Sequence, residues 1–185
     1  MIGNDIVDLN FAQNHRRLLP RVLDKLFTQK EQQKIHDSEN PSIQIWLLWS
    51  MKEAAYKLYV QVSQSKPFYN PKAFECHFND KTQVSFGNFL CDITSKITIN
   101  YIISEANLAP QKMRSKVVIF DQPDYKSQSL TLKDKLINDV AQHFNINFRS
   151  LLIQKTKSGI PFLVVNNQMF NVSLTHHGYY GAYAF

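Results

Sequence analysis

Between residues 43 and 60 almost every position of this chain is apolar or aromatic, yet the run also carries Lys52, Glu53 and Lys57. A helix that is apolar round most of its circumference belongs inside a protein. The segment therefore predicts one central buried helix, ending near Gln64, against which the rest of the chain must pack. At helical spacing Trp46, Trp49, Glu53 and Lys57 share a face, which sets a carboxylate beside indoles. An unpaired buried charge costs on the order of several kcal/mol or drives the carboxyl pKa upward. Glu53 is thus a candidate metal ligand or general base. The competing reading is an ordinary Glu53–Lys57 pair at i and i+4, worth about 0.3–0.5 kcal/mol when exposed.

The chain has 185 residues, enough for one ordinary domain or two small halves sharing a core. Hydrophobic residues make up 44% and aromatic residues 12%, a composition that packs rather than one that stays disordered. No apolar run is long enough to span a bilayer, because Lys52 and Glu53 interrupt the longest one. The opening residues lack both a basic segment and an apolar stretch of signal type, so a cytoplasmic protein is expected, with no membrane partner. Cys76 and Cys91 have no metal-type spacing and read as reduced core residues. The net charge of +6 favours acidic partners. Basic clusters at Arg16-Arg17 and Lys112-Met113-Arg114-Ser115-Lys116 read as solvated faces or linkers. No helix gathers Arg and Lys on one side, which argues against a nucleic-acid partner.

Along the chain, residues 2–9 read as a strand, and a helix is expected from about Leu18. Thr28-Gln29-Lys30-Glu31 has capping-box spacing. The buried helix starts after the loop at residues 37–41. Residues 73–78, 83–86, 88–93 and 97–103 alternate and are β-branched, predicting an antiparallel meander with turns at Asn79-Asp80 and Gly87. The polar stretch 104–115 has no period and serves as the internal boundary. Beyond it come a strand at 116–120, a helix at 130–144 with Leu132, Leu136, Val140 and Phe144 stacked, and strands at 150–155 and 170–185, with Asn166 and Asn167 as a turn. The predicted class is α+β: two similar small halves, residues 1–108 and 112–185, each an antiparallel sheet packed with a helix.

Three segments carry a resemblance. Ile2-Gly3-Asn4-Asp5-Ile6-Val7-Asp8-Leu9 resembles a strand of the form I-G-x-D-I. Trp49-Ser50-Met51-Lys52-Glu53-Ala54-Ala55-Tyr56-Lys57 matches W-S/T-x-K-E-A-x-x-K at every specified position. Phe170-Asn171-Val172-Ser173-Leu174-Thr175-His176-His177-Gly178 resembles F-N-x-S-x-S-H-x-G, preceded by a G-x-P segment at Gly159-Ile160-Pro161. Together they resemble the motifs of the 4′-phosphopantetheinyl transferases. Asp5 and Glu53 keep the separation usual in that family, but His176 lies much further downstream than in the small trimeric holo-acyl-carrier-protein synthases. In the larger surfactin-synthetase-activating type two similar halves are fused, with the S-H-x-G half first. Here the G-x-D half comes first, which implies a pseudodimer with its halves in swapped order and a monomeric protein. A single synthase-like unit with a long insertion, and hence a trimer, is the alternative.

The resemblance implies attack by a serine hydroxyl of an acidic apo carrier protein on the β-phosphate of coenzyme A, the donor substrate, releasing adenosine 3′,5′-bisphosphate. It implies Mg²⁺ on Asp5 and Glu53, with Glu53, directly or through a water, as the base. Lys57 would hold phosphate or orient Glu53. His176 and Thr175 would contact coenzyme A phosphate, and Lys52 would meet nucleotide phosphate or solvent. Two departures stand out. Val7 occupies the place of a third carboxylate found in larger relatives, leaving Asp8 or a water to fill it; structural capping is the alternative reading of Asp8. Ile160 replaces a lysine common in the G-x-P segment, a phosphate contact that Lys157 or Lys155 could replace. A non-catalytic coenzyme A or carrier-protein binding module of the same fold is the second reading.

Overall fold

A computed structural model describes residues 1–13, 19–68, 70–108, 114–165 and 168–185. Arg16, Arg17, Lys112, Met113, the expected helix start at Leu18, and Asn166 with Asn167 lie outside the described residues.

The buried helix organises the first part. The chain opens with β1 (Gly3–Asp8) and three short helices, α1 (Leu9–Ala12), α2 (Pro20–Leu26) and α3 (Gln29–His36). Thr28 and Glu31 close the expected capping box at the start of α3. Next comes α4 (Pro41–Ser63), begun by the Asn40 side chain on Ile43 N–H and ended by Gln64 in the left-handed conformation. Four strands follow: β2 (Glu75–Phe78), β3 (Thr82–Phe86), β4 (Phe89–Ile97) and β5 (Tyr101–Asn107). They join β1 in an antiparallel sheet of order β1-β5-β4-β3-β2. Its core is Leu48, Met51, Ala54, Ala55 and Leu58 of α4 against Phe74, Val84, Cys91 and Ala106.

The meander is present, but its last hairpin sits further along than expected. The turn falls at residues 98–100, where Thr98 Oγ1 accepts from the N–H of Asn100 and Tyr101. A threonine hydroxyl makes this turn, so no glycine or proline announces it. Residues 104–107, read as the start of a linker, complete β5. Ser104 is fully buried there and hydrogen-bonds Ser95 across the pair at 2.8 Å.

The second part contains β6 (Ser115–Ile119), α5 (Tyr125–Phe144), β7 (Leu152–Lys155), β8 (Pro161–Val165), β9 (Gln168–Asn171), β10 (Ser173–His177) and β11 (Tyr180–Ala184). Its strands form two three-stranded antiparallel sheets, β10-β11-β6 and β7-β8-β9, where one sheet was expected. The long strand foreseen at 170–185 is divided at Val172 and again at Gly178, whose φ of +58° makes a turn that L side chains resist. The helix begins five residues before the expected start at 130, because Asp124 caps the Ser127 N–H. Leu132, Leu136 and Val140 are buried as expected; Phe144, at the frayed end, is largely exposed. The chain is α+β throughout, with antiparallel sheets and packed helices.

The two parts meet at β1. Its N–H groups at odd positions face β5, and those of Asn4, Ile6 and Asp8 point the other way. They donate to side chains of β10: Asn4 to Ser173 Oγ at 3.1 Å, Ile6 to Thr175 Oγ1 at 3.4 Å, and Asp8 to His177 Nδ1 at 3.1 Å. Gln61 of α4 adds a clip, accepting from Ile2 N–H and donating to the Val172 carbonyl. Gly3 lets β1 lie directly on α4: a Cβ there would collide with the Ala54 carbonyl oxygen and approach Leu58 N to 2.8 Å. Both obstacles are helix backbone and cannot swing aside. Gly3→Ala is therefore expected to lower stability by about 2–3 kcal/mol in urea unfolding, the upper range for overpacking.

Candidate active site

Asp5 is the centre of the seam. Its neighbours on the same face of β1 are Gly3 and Val7, and its backbone oxygen accepts from Ser50 Oγ of α4 at 3.2 Å. Its carboxylate oxygen Oδ1 receives two donors, Lys57 Nζ at 2.9 Å from α4 and Thr175 Oγ1 at 2.9 Å from β10. Oδ2 makes no hydrogen bond among the described residues. Lys57 also donates to the Asn4 carbonyl at 2.8 Å. An ammonium has three N–H donors, so one remains for a ligand. Glu53, half-buried, lies three residues after Ser50 and four before Lys57, and the helix period sets it beside the two residues that touch Asp5.

Lys57 opens onto a groove of about 280 Å³ between α4 and the second part, lined also by Tyr56, Gln61, the Gly159–Pro161 stretch, Ser173 and Leu174. Glu53 and Tyr56 border a smaller cavity of about 140 Å³ with Phe68 and Phe74. Lys157 is exposed in the turn between β7 and β8, next to Ser158 at the groove wall. His176 is half-buried on β10, with the Tyr125 ring 5.0 Å from its own. Burial, and then the positive charge of Lys57, hold the His176 imidazole below its ordinary value of 6.5.

One expectation is corrected, and the two readings of Asp8 are told apart. Lys52 reaches neither phosphate nor solvent: it is 1% exposed and paired at 2.7 Å with Glu31, which is equally buried, and it donates to the Pro71 carbonyl at 3.1 Å. Asp8 acts as a structural cap, with both carboxylate oxygens engaged. Oδ1 caps α1 through Asn10 and Phe11 N–H, and Oδ2 accepts from Tyr179 N–H at 2.8 Å. Val7 does more than omit a carboxylate, since it is packed with Trp46, Leu9 and Ile102. Gly178 fits the motif for a spatial reason, as a Cβ there would strike the Asp8 carboxylate. Cys76 and Cys91 are free and buried, and burial pushes both thiols up, Cys91 to about 12.

Two residues of the site were missed in the sequence. Glu31 carries the capping-box signal, but nothing marks its second duty of receiving Lys52 and the Cys76 N–H at 2.9 Å. Gln61, a polar residue one turn beyond Lys57 in an apolar helix, could have been flagged on that ground.

A family model of the 4'-phosphopantetheinyl transferase superfamily matches residues 1–111. The chain belongs to that superfamily. Among solved structures it is similar to the holo-acyl-carrier-protein synthase of Neisseria meningitidis, at 11% identity and a TM-score of 0.44, over 57% of this chain and 94% of that one. It is also similar to the holo-acyl-carrier-protein synthase of Thermotoga maritima, at 11% identity and a TM-score of 0.44, over 86% of this chain and 80% of that one. The comparison with curated proteins gave no match. No helix among the described residues is long and apolar enough to cross a membrane.

Two outcomes test this geometry. Lys52→Met leaves Glu31 buried without its cation and is expected to cost about 3–5 kcal/mol in urea unfolding. A histidine with a depressed folded pKa contributes stability that is full above its unfolded value and is lost as pH falls. Unfolding free energy should therefore drop on acidification below 6.5, and less steeply in His176→Gln.

Proposed function

We propose that the chain transfers the 4′-phosphopantetheine group from coenzyme A to a serine of an acidic apo carrier protein, within a two-part monomer divided near residues 108–112. The observation that supports this reading is the convergence of Lys57 and Thr175, distant in sequence, on one oxygen of Asp5, with Lys57 also lining the groove.

The donor set fits Mg²⁺. Among the described residues no group of three or more His, Cys, Asp or Glu side chains is gathered as a cage. Asp5 keeps an oxygen without a hydrogen bond among the described residues, and Glu53 lies one helical turn from both Ser50 and Lys57, which bond Asp5. Mg²⁺ takes one or two protein carboxylates and completes its shell with water and phosphate oxygens. Bound there, the cation would neutralise pyrophosphate charge and polarise the phosphorus. Glu53 would take the proton of the carrier serine as its oxygen bonds to the β-phosphorus. The bond from that phosphorus to the bridging oxygen breaks, and adenosine 3′,5′-bisphosphate leaves. The third N–H of Lys57 would hold a phosphate oxygen as charge builds on the leaving group. His176 and Lys157 would contact the remaining phosphate at the groove mouth; a bound dianion would offset the effects that keep His176 neutral. The +6 charge suits an acidic carrier.

Incubated with coenzyme A, Mg²⁺ and a panel of apo carrier proteins, the wild type is expected to add the phosphopantetheine mass to at least one carrier. Glu53→Gln should slow this about 10²–10⁴-fold, the range for a lost general base. Asp5→Asn should slow it comparably. Full-rate transfer by Glu53→Gln would reject its role. Coenzyme A binding by calorimetry without transfer to any carrier would favour the non-catalytic module.

A further inference from the structure

We propose that Thr175 is a positioning residue for the cation-binding carboxylate: its hydroxyl anchors Asp5 Oδ1 so that Oδ2 is presented to the metal. This rests on the reading of Asp5 as a Mg²⁺ ligand and assigns Thr175 a different part from the coenzyme A contact that the motif implies.

The hydroxyl is already committed. It has one hydrogen to give, and gives it to Asp5 Oδ1 at 2.9 Å. It also accepts the Ile6 N–H at 3.4 Å, so it is held from both sides by β1. At 6% exposure Thr175 has little surface for a ligand. Along β10 its side chain points with those of Ser173 and His177 into the edge of β1, while His176 alternates to the other face. A threonine suits the task, because its β-branch restricts χ1 and keeps the hydroxyl aimed.

The consequence for Asp5 is a division of labour between its oxygens. Lys57 and Thr175 converge on Oδ1, one from α4 and one from β10, which fixes the carboxylate plane. Oδ2 is left with no donor among the described residues. Partners of this kind, which orient a ligand without touching the metal, are typically worth 10–100-fold in metal affinity.

The test is a titration of Mn²⁺ in the presence of coenzyme A and without carrier protein, with free Mn²⁺ read by electron paramagnetic resonance. Thr175→Val removes the donor at nearly constant volume and is expected to weaken Mn²⁺ binding about 10–100-fold. Thr175→Ser should bind within about 3-fold of wild type, and Asp5→Asn should lose the site. In transfer assays at saturating Mg²⁺, the KM for coenzyme A of Thr175→Val should stay near wild type. Thermal unfolding checks that each variant folds, and Thr175→Ala substitutes for Thr175→Val if the latter does not. Wild-type Mn²⁺ affinity in Thr175→Val with a raised coenzyme A KM, alongside loss in Asp5→Asn, overturns this inference and leaves the metal reading intact. No Mn²⁺ binding by the wild type, or binding unchanged in Asp5→Asn, overturns the metal reading and this inference with it.

Discussion

The row of three hydrogen bonds from β1 to the side chains of Ser173, Thr175 and His177 is the contact on which the rest depends. A buried strand edge with unpaired N–H groups would be costly, since each unmet donor loses about 1–3 kcal/mol. Here the neighbouring strand meets that need with its side chains, while one edge of its backbone pairs with β11. The three acceptors advance two residues at a time, matching the pleat of β1. This register is what places Thr175 opposite Asp5 and leaves His176 on the other side of β10, toward Lys57. Sheet pairing, interface and site are therefore one arrangement.

A second layer of charge holds the helix that carries Glu53. Glu31 gathers the Thr28 N–H, the Lys52 ammonium and the Cys76 N–H, and so joins the start of α3 to the middle of α4 and to β2. Next in sequence to Lys52, Glu53 turns toward a more accessible side of the same helix. The two adjacent charges of the motif differ in setting: Lys52 is paired internally with Glu31, and Glu53 is the more accessible of the two at the smaller cavity. Aromatic packing supports the same region: Phe68, Phe74 and Phe86 cluster with Tyr56 and Tyr59 beneath the groove.

Much of this was legible beforehand. The buried helix, the capping box, the meander and the α5 stripe follow from periodicity and cap chemistry, and Asp5 and Lys57 lie on the faces that their spacing gave them. What could not be read depends on long-range pairing. The turn at Thr98 has no glycine to mark it, and β8 opens on Pro161, a residue that lacks the N–H a strand ladder uses. Lys52 was misassigned because its partner sits on another helix. The stop between β10 and β11 is marked in the sequence by Gly178.

The bonds between β1 and β10 span 169 residues, and that distance shapes how the protein comes to be made. At typical elongation rates of about 5–20 residues per second, roughly ten to thirty seconds pass between synthesis of the two strands. Through that interval the nascent first sheet carries an edge whose natural cover has not yet left the ribosome. Contacts so far apart in sequence also form slowly during refolding. The groove beside Lys57 is thus assembled last, and an unfinished polypeptide has the helix and the meander without its second wall.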